Sequence, residues 1–294
     1  MNVEPLREIT EDEIRRWEED GVIHLRGLFD QDWVKRMQDA VEDVLANPGP
    51  LGSDLNDGKT VGRFAIDTFM WQRHPDFRAF AFDSPSPRLA ASFMRAKKVN
   101  LLFDGMLSKA PHTPMRTTFH QDLPGMHADG KCSGMWFSLD HVTAESGAVQ
   151  WVRGSHRWNK YYKAKGSGDP KRSKVYDGYN QRSEDEDAEE MPDILSNMSA
   201  YDIVSFDTEP GDCIITHLLL CHGGHGNTTD RKRRAITHRY ASEDAYFVDR
   251  SKVLYSMKLA SESGLKPGER FPDDPAHHIF PRVIPRANGL SPAR

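Results

Sequence analysis

Three adjacent residues, His120-Gln121-Asp122, are of types that can hold a metal ion. In an extended strand, residues i and i+2 point to one face. His120 and Asp122 would then present an imidazole and a carboxylate side by side, with Gln121 turned away or bent at the strand end. That is two thirds of a 2-His-1-carboxylate set, the arrangement that suits non-haem Fe(II) with open coordination positions. By itself the triplet equally describes a hydrogen-bonded surface pair. A third ligand has to come from elsewhere in the chain. The sequence holds 13 His, grouped around residues 112–127 and 217–238, and the distant candidates are His217, His222, His225 and His238.

Other chemistries are disfavoured. There are three Cys (Cys132, Cys213, Cys221) and no Cys-x-x-Cys, which argues against a structural zinc site and a disulfide framework and for a reducing compartment. Cys213 and Cys221 lie in apolar surroundings and read as buried hydrophobes, not nucleophiles. No G-x-S-x-G elbow and no phosphate-binding GxxxxGK[ST] loop occurs. With 39 Lys+Arg against 44 Asp+Glu, the net charge of −5 gives no footprint for nucleic acid. No apolar run reaches 18 residues, so no membrane span is expected. The charged start, MNVEPLREITEDEIRRWEEDG, has no signal segment, and the end, Ser291-Pro292-Ala293-Arg294, is unlike a Ser-Lys-Leu address. A cytoplasmic protein acting on a small molecule is expected; nothing speaks to its oligomeric state.

The elements that must position these residues can be read from pattern. Thr10 and Glu13 form a capping-box pattern ahead of a helix with Ile14 and Trp17 on one side, ended by Gly21. Val22–Leu28 reads as a strand. Asp30 caps a second helix carrying Val34, Met37, Val41, Val44 and Leu45 at helical spacing, stopped by Asn47-Pro48-Gly49-Pro50. Residues 49–62 read as loop, and 75–96 as two short helices around a Ser-Pro-Ser-Pro turn. Then the texture changes. Val99–Leu107, Thr117–Asp122, Gly134–Asp140, Gly147–Val152, Asp202–Phe206, Asp212–Thr216, Leu218–His222 and Arg233–Ala241 read as strands between turn signals. Helices followed by eight short strands point to a mainly β fold: a jelly-roll or related barrel with N-terminal helices packed on its outside. One domain over 1–294 is expected, with a helical part about 1–96, a core about 97–245, and a C-terminal wrap 246–294. In that wrap FPRVIPR is too rich in Pro for a central strand. Residues 157–198, Lys/Tyr-rich and then acidic, read as a solvated insertion or an active-site lid.

The stretches HQD, SGMWFSLDHVTAESGAVQWVRGSH and GDCIITHLLLCHGGHGNTTDRKRRAITHRY resemble the phytanoyl-CoA dioxygenase-like branch of the Fe(II)/2-oxoglutarate oxygenases, as does the opening EEDGVIHLRGL. The likeness covers about residues 10–245. It implies a double-stranded β-helix (cupin-like) core, Fe(II) as cofactor, and 2-oxoglutarate and O2 as cosubstrates. On the family pattern His222 matches the distal ligand, Asn227 the Asn of the turn after it, and Arg233 the cation. Arg233 lies eleven residues after His222; eleven after His217 and His225 stand Thr228 and Ile236. A guanidinium fork suits the far carboxylate of 2-oxoglutarate as a Lys does not. Period 2 allows only one of Arg233 and Arg234 to face inward. The resemblance also suggests cosubstrate-site roles for Trp136, Lys109 and Thr117; the ordinary alternatives are a core aromatic, a snorkelling surface Lys and a plain strand residue. His156, in Gly-Ser-His, reads as structural. In related halogenating enzymes a small residue replaces the carboxylate ligand, so Asp122 implies hydroxylation or another oxidation instead.

The expected function is thus an Fe(II)- and 2-oxoglutarate-dependent dioxygenase, with His120, Asp122 and His222 as catalytic metal ligands. It would oxidise an unactivated C–H bond of a small metabolite and release succinate and CO2. Two rivals remain open: a divalent-metal barrel hydrolase or isomerase, and a non-catalytic binding barrel. Phe69, Trp71, Arg116, Met126 and His127 are candidates for the mouth, with Phe69 and Trp71 equally readable as core.

Overall fold

The computed structural model describes residues 1–55, 61–163, 188–250 and 262–286. Most of residues 157–198, including most of the acidic run, lies outside them, as do parts of the C-terminal wrap.

Helix α1 (Glu11–Asp20) starts on the capping box: the Thr10 hydroxyl accepts from the Glu13 backbone, and the Glu13 carboxylate accepts from the Thr10 N–H. It stops at Gly21, whose φ of 78° is left-handed. Strand β1 (Val22–Leu25) leads to α2 (Gln31–Ala46), capped by Asp30. Two short strands follow, β2 (Ser53–Asp54) and β3 (Phe64–Thr68), then helices α3 (Pro75–Asp83) and α4 (Ser86–Met94) on either side of the Ser-Pro-Ser-Pro turn. The rest is β: β4 (Val99–Lys109), β5 (Thr117–His120), β6 (Ala128–Asp129), β7 (Cys132–Ser138), β8 (Val149–Val152), β9 (Ile203–Ser205), β10 (Cys213–His217), β11 (His222–Gly224), β12 (Arg233–Ser242), β13 (Tyr246–Phe247) and β14 (Arg282–Ile284).

These strands build two antiparallel sheets. The major one runs β1-β10-β7-β12-β4-β3-β2, with β14 also on β4; the minor one runs β5-β11-β8-β9. A β6–β13 pair stands apart. Side chains alternate across the major sheet. Ile236, Tyr240, Met106, Met135, Phe137 and Ile215 point outward into the largest apolar cluster, with Trp33, Met37 and Val41 of α2, Phe77 and Phe80 of α3 and Phe93 of α4. The other face looks toward the minor sheet. Both faces of β4 and β7 are therefore covered, and neither strand has an exposed residue. This is the jelly-roll architecture that the strand count implied, with its helices on the outside.

Several boundaries differ from expectation. Strand β5 ends at His120: Asp122 has helical backbone angles and opens a 3-10 turn over Leu123–Gly125. The stretch Leu218–His222 is not one strand; it turns at 218–220, and pairing begins at His222. Residues 49–62 contain β2, and β3 follows unread in the sequence, because its partly polar FAIDT lacks a clean alternation. With β1, these strands belong to the major sheet, so residues 1–96 are not purely an outer helical layer. Strand β14 sits between Pro281 and Pro285 and pairs only with the Val99–Asn100 end of β4, where missing N–H donors cost little.

Candidate functional site

The minor sheet sets two histidines against each other. In the antiparallel register His222 of β11 pairs with His120 of β5 on one side and Trp151 of β8 on the other. The imidazole rings of His120 and His222 lie 4.3 Å apart by centroid, and the Trp151 ring stacks on His222 at 4.7 Å. Asp122 joins them from the turn after β5, where the backbone N–H groups of Asp122 and Leu123 both donate to the Leu218 carbonyl. Its Oδ1 lies 3.5 Å from His120 Nε2 and 3.8 Å from His222 Nε2. Candidate ligand atoms of all three residues fall within 4.8 Å of one another.

The hydrogen bonds around the trio fix which atoms face inward. His120 Nδ1 lies 2.8 Å from the Thr118 carbonyl and His222 Nδ1 3.0 Å from the Leu220 carbonyl. Carbonyls only accept, so each Nδ1 carries a proton, and each Nε2 is the ring nitrogen turned toward the other members of the trio. Burial, reinforced by His120, lowers the His222 pKa to about 4, so the ring is neutral at pH 7. Burial alone would raise the Asp122 carboxyl; Arg239, with His222 and His120, outweighs it and holds the group well below the usual carboxylate range. Two imidazoles and one carboxylate converging on one point are a donor set suited to Fe(II).

Beside the trio, a cavity of about 190 Å³ opens between the sheets. Arg233 is at its side, 3 % exposed, with its guanidinium carbon 6.0 Å from the centroid of the Trp136 ring. Among the described residues its Nε and Nη1 atoms have no hydrogen-bond partner, and neither has Trp136 Nε1. Burial pulls the Arg233 pKa down to about 10, which still leaves it charged at neutral pH. A buried, charged guanidinium with unpartnered donors is costly and calls for an anion. A carboxylate taking two parallel bonds fits, so 2-oxoglutarate is compatible with these residues.

The remaining sequence candidates divide clearly. Arg234 points away and pairs with Asp140 and Glu42. Thr117, Trp136 and Met126 line the cavity. Lys109 is no surface snorkeller. It is fully buried, opposite Arg233 in the β4–β12 register, with its Nζ donating to the His225 carbonyl. Burial, with Arg233 and Arg116 nearby, lowers its pKa to about 6. His217 stacks near His156 and Trp17, away from the trio. His238 is buried on the helix side of β12, with Nδ1 beside Ser86 Oγ and Tyr240 OH. His225 lines a second recess, with Arg116, Met191 and Ile194. Asn227 orders its turn through Ala110, Arg231 and Thr229. His156 Nε2 meets the Glu18 carbonyl at the end of α1. Phe69 and Trp71 are core residues, and His127 is buried against Phe247 rather than at the mouth.

Two residues beside the trio were not singled out in the sequence. Arg239 donates from Nε to Asp122 Oδ2 at 2.7 Å. Period 2 from Arg233 through Ala235 and Thr237 reaches it on the same face, so the signal was present. Trp151 carried no such signal, because its contact with His222 comes from sheet register.

Comparison with known proteins agrees with this geometry. The phytanoyl-CoA dioxygenase (PhyH) family profile matches residues 17–235. A probable phytanoyl-CoA dioxygenase of Caenorhabditis elegans is 28% identical over 149 residues, which is 47% of this chain and 41% of that protein. The peroxisomal phytanoyl-CoA dioxygenase of Homo sapiens is 22% identical over 259 residues, 82% of this chain and 71% of that protein. Among solved structures, the non-heme alpha ketoglutarate dependent carbocyclase SnoK from nogalamycin biosynthesis superposes with TM-score 0.72 at 20% identity, covering 94% of this chain and 97% of that one. The epimerase SnoN, solved with Fe3+, alpha ketoglutarate and nogalamycin RO, gives TM-score 0.72 at 18% identity, covering 93% and 98%. The fold, the convergent trio and the family match together make this chain a member of the phytanoyl-CoA dioxygenase family of iron- and 2-oxoglutarate-dependent dioxygenases.

Proposed function

We propose that His120, Asp122 and His222 hold Fe(II), that Arg233 anchors 2-oxoglutarate, and that the protein hydroxylates an unactivated C–H bond of a small, largely apolar organic molecule. The observation that carries this reading is the buried Arg233, whose Nε and Nη1 have no partner among the described residues while it lines the same cavity as the trio. A hydrolase or isomerase using the same metal ligands would have no use for that cation, and a non-catalytic barrel would have no use for either.

When bound, the metal and cosubstrate supply oxidative decarboxylation: 2-oxoglutarate, O2 and a C–H bond become succinate, CO2 and an alcohol. The chain's share is placement and exclusion of water. Arg233 neutralises the far carboxylate, and Trp136 covers the guanidinium. Lys109, across the strand from Arg233, adds positive charge when a dianion arrives. Trp151 buttresses His222. Thr117 lies where the cavity meets the recess lined by Arg116 and His225. Leu51, Leu55, Ile66, Phe103 and Met126 give the rest of the cavity an apolar wall, which favours an apolar substrate body. The carboxylate at position 122 favours hydroxylation over halogenation.

The test is a substrate screen read as succinate release with Fe(II) and 2-oxoglutarate present. The proposal expects a slow, metal-dependent background that rises with the true substrate. If 2-oxoglutarate is never consumed while Fe(II) binds, a different metal chemistry is at work.

A further inference from the structure

Asp122 has two oxygens with different partners. Oδ1 faces the Nε2 atoms of His120 and His222 at 3.5 and 3.8 Å. Oδ2 accepts from Arg239 Nε at 2.7 Å. Arg239 is itself held by two further contacts. Its Nη1 donates to the His238 carbonyl at 3.2 Å. Its guanidinium carbon lies 5.8 Å from the centroid of the Phe103 ring, its cross-strand neighbour on β4. On β7 its register partner is Gly134, where a Cβ would stand 3.5 Å from Arg239 Cδ and only 2.9 Å from Thr216 Oγ1. A Cβ at 134 would therefore meet the arginine stem at ordinary contact distance, and the crowding there falls on Thr216.

We infer that Arg239 is a positioning residue that makes Asp122 a one-oxygen ligand. This inference rests on the reading of His120, Asp122 and His222 as metal ligands. With both oxygens free, a carboxylate can bind a metal through either one or both. With Oδ2 committed to a guanidinium, only Oδ1 is available. Two imidazoles and one oxygen leave three positions of an octahedral ion open; a second carboxylate oxygen would leave two. A keto acid that chelates through two atoms needs both of those, and no place would remain for O2. Arg239 thus preserves an open position by occupying an oxygen, at the cost of placing a positive charge near the metal.

The two consequences have opposite signs, and this separates positioning from mere support of the fold. The probe is Co(II), which can be handled in air, with the full chain as wild type, Arg239→Met and Arg239→Lys. In Arg239→Met, Co(II) should bind as tightly as in wild type or several-fold more tightly, because a repelling charge is gone and a second oxygen is free. 2-oxoglutarate still has two positions, but it should bind the Co(II) form about tenfold more weakly, because a carboxylate spread over two positions distorts the remaining pair and donates more negative charge to the ion. Arg239→Lys, which keeps a charged donor, should recover most of the 2-oxoglutarate affinity. If both constants stay within twofold of wild type in Arg239→Met, or both weaken together, the inference is overturned. Should that variant fail to fold, a crystal structure of wild-type protein with Co(II) decides: Oδ1 alone on the metal, with Oδ2 still on Arg239, supports it, and both oxygens on the metal refute it. Wild-type protein that takes up no Co(II) would instead overturn the ligand assignment beneath it.

Discussion

At Arg233 the cost of burial is visible: a charge 3 % exposed keeps two donor nitrogens without partners among the described residues. A charge-assisted hydrogen bond is worth about 1.5–3 kcal/mol, so Arg233→Lys, which loses the fork, should raise the 2-oxoglutarate KM by roughly 10- to 100-fold. Fe(II) affinity should hardly change. Steady-state kinetics with a separate metal titration checks both. Lys109 gives a second prediction. With its pKa lowered to about 6 it is mostly neutral at pH 7.5, and a dianion placed beside it would raise that pKa. Binding of 2-oxoglutarate should therefore take up close to one proton at pH 7.5. Calorimetry in buffers of different ionisation enthalpy measures this; zero uptake would place Lys109 outside the anion's field. Proton uptake on binding also means that KM climbs with pH above about 6. The Arg233 pKa near 10 adds to this: as pH rises through 10 the proposed anchor loses its own charge as well, so the climb should steepen above about pH 9.

The elements decide which of these residues meet, and here the sequence was legible only in part. The helices could be read in advance because their signals are local: Thr10 with Glu13, Asp30, and the Ser-Pro-Ser-Pro turn. That Arg233 and Arg234 face opposite ways followed from period 2, while the choice of Arg233 as the inward one came from the family resemblance. Strand ends were less legible. Asp122 meets His120 not by sharing a strand face but because the chain turns after His120 and hangs on the Leu218 carbonyl. Such a contact, like Trp151 on His222, arises between segments far apart in sequence and leaves no local mark. Gly21 tests the element scale. It has φ of 78°, and a Cβ there would come within 2.4 Å of His156 Nδ1. Gly21→Ala should destabilise the protein by about 2–4 kcal/mol, combining left-handed strain with overpacking. The measurement is denaturant unfolding of purified protein. A loss below about 0.5 kcal/mol would mean that the α1–β1 corner shifts freely.

On the scale of the whole molecule, the cavity is walled by both sheets. His120 and His222 come from the minor sheet, Arg233 and Arg239 from the major one. Metal and 2-oxoglutarate together would bridge the two and stabilise the folded chain. At a hundred times the dissociation constant the gain is about 2.7 kcal/mol, which is roughly 4 °C in Tm for a chain of 294 residues. Metal without the keto acid should give less. The central claim is that one ion, held by His120, Asp122 and His222, and one 2-oxoglutarate, held by Arg233, share this cavity. It is tested most directly by adding Fe(II) and 2-oxoglutarate to the protein without oxygen and recording the visible spectrum. The account predicts a weak charge-transfer band that saturates at one Fe(II) and one 2-oxoglutarate per chain and is absent in Asp122→Ala and His222→Ala. A wild-type spectrum without the band, or one that both variants retain in full, would contradict it.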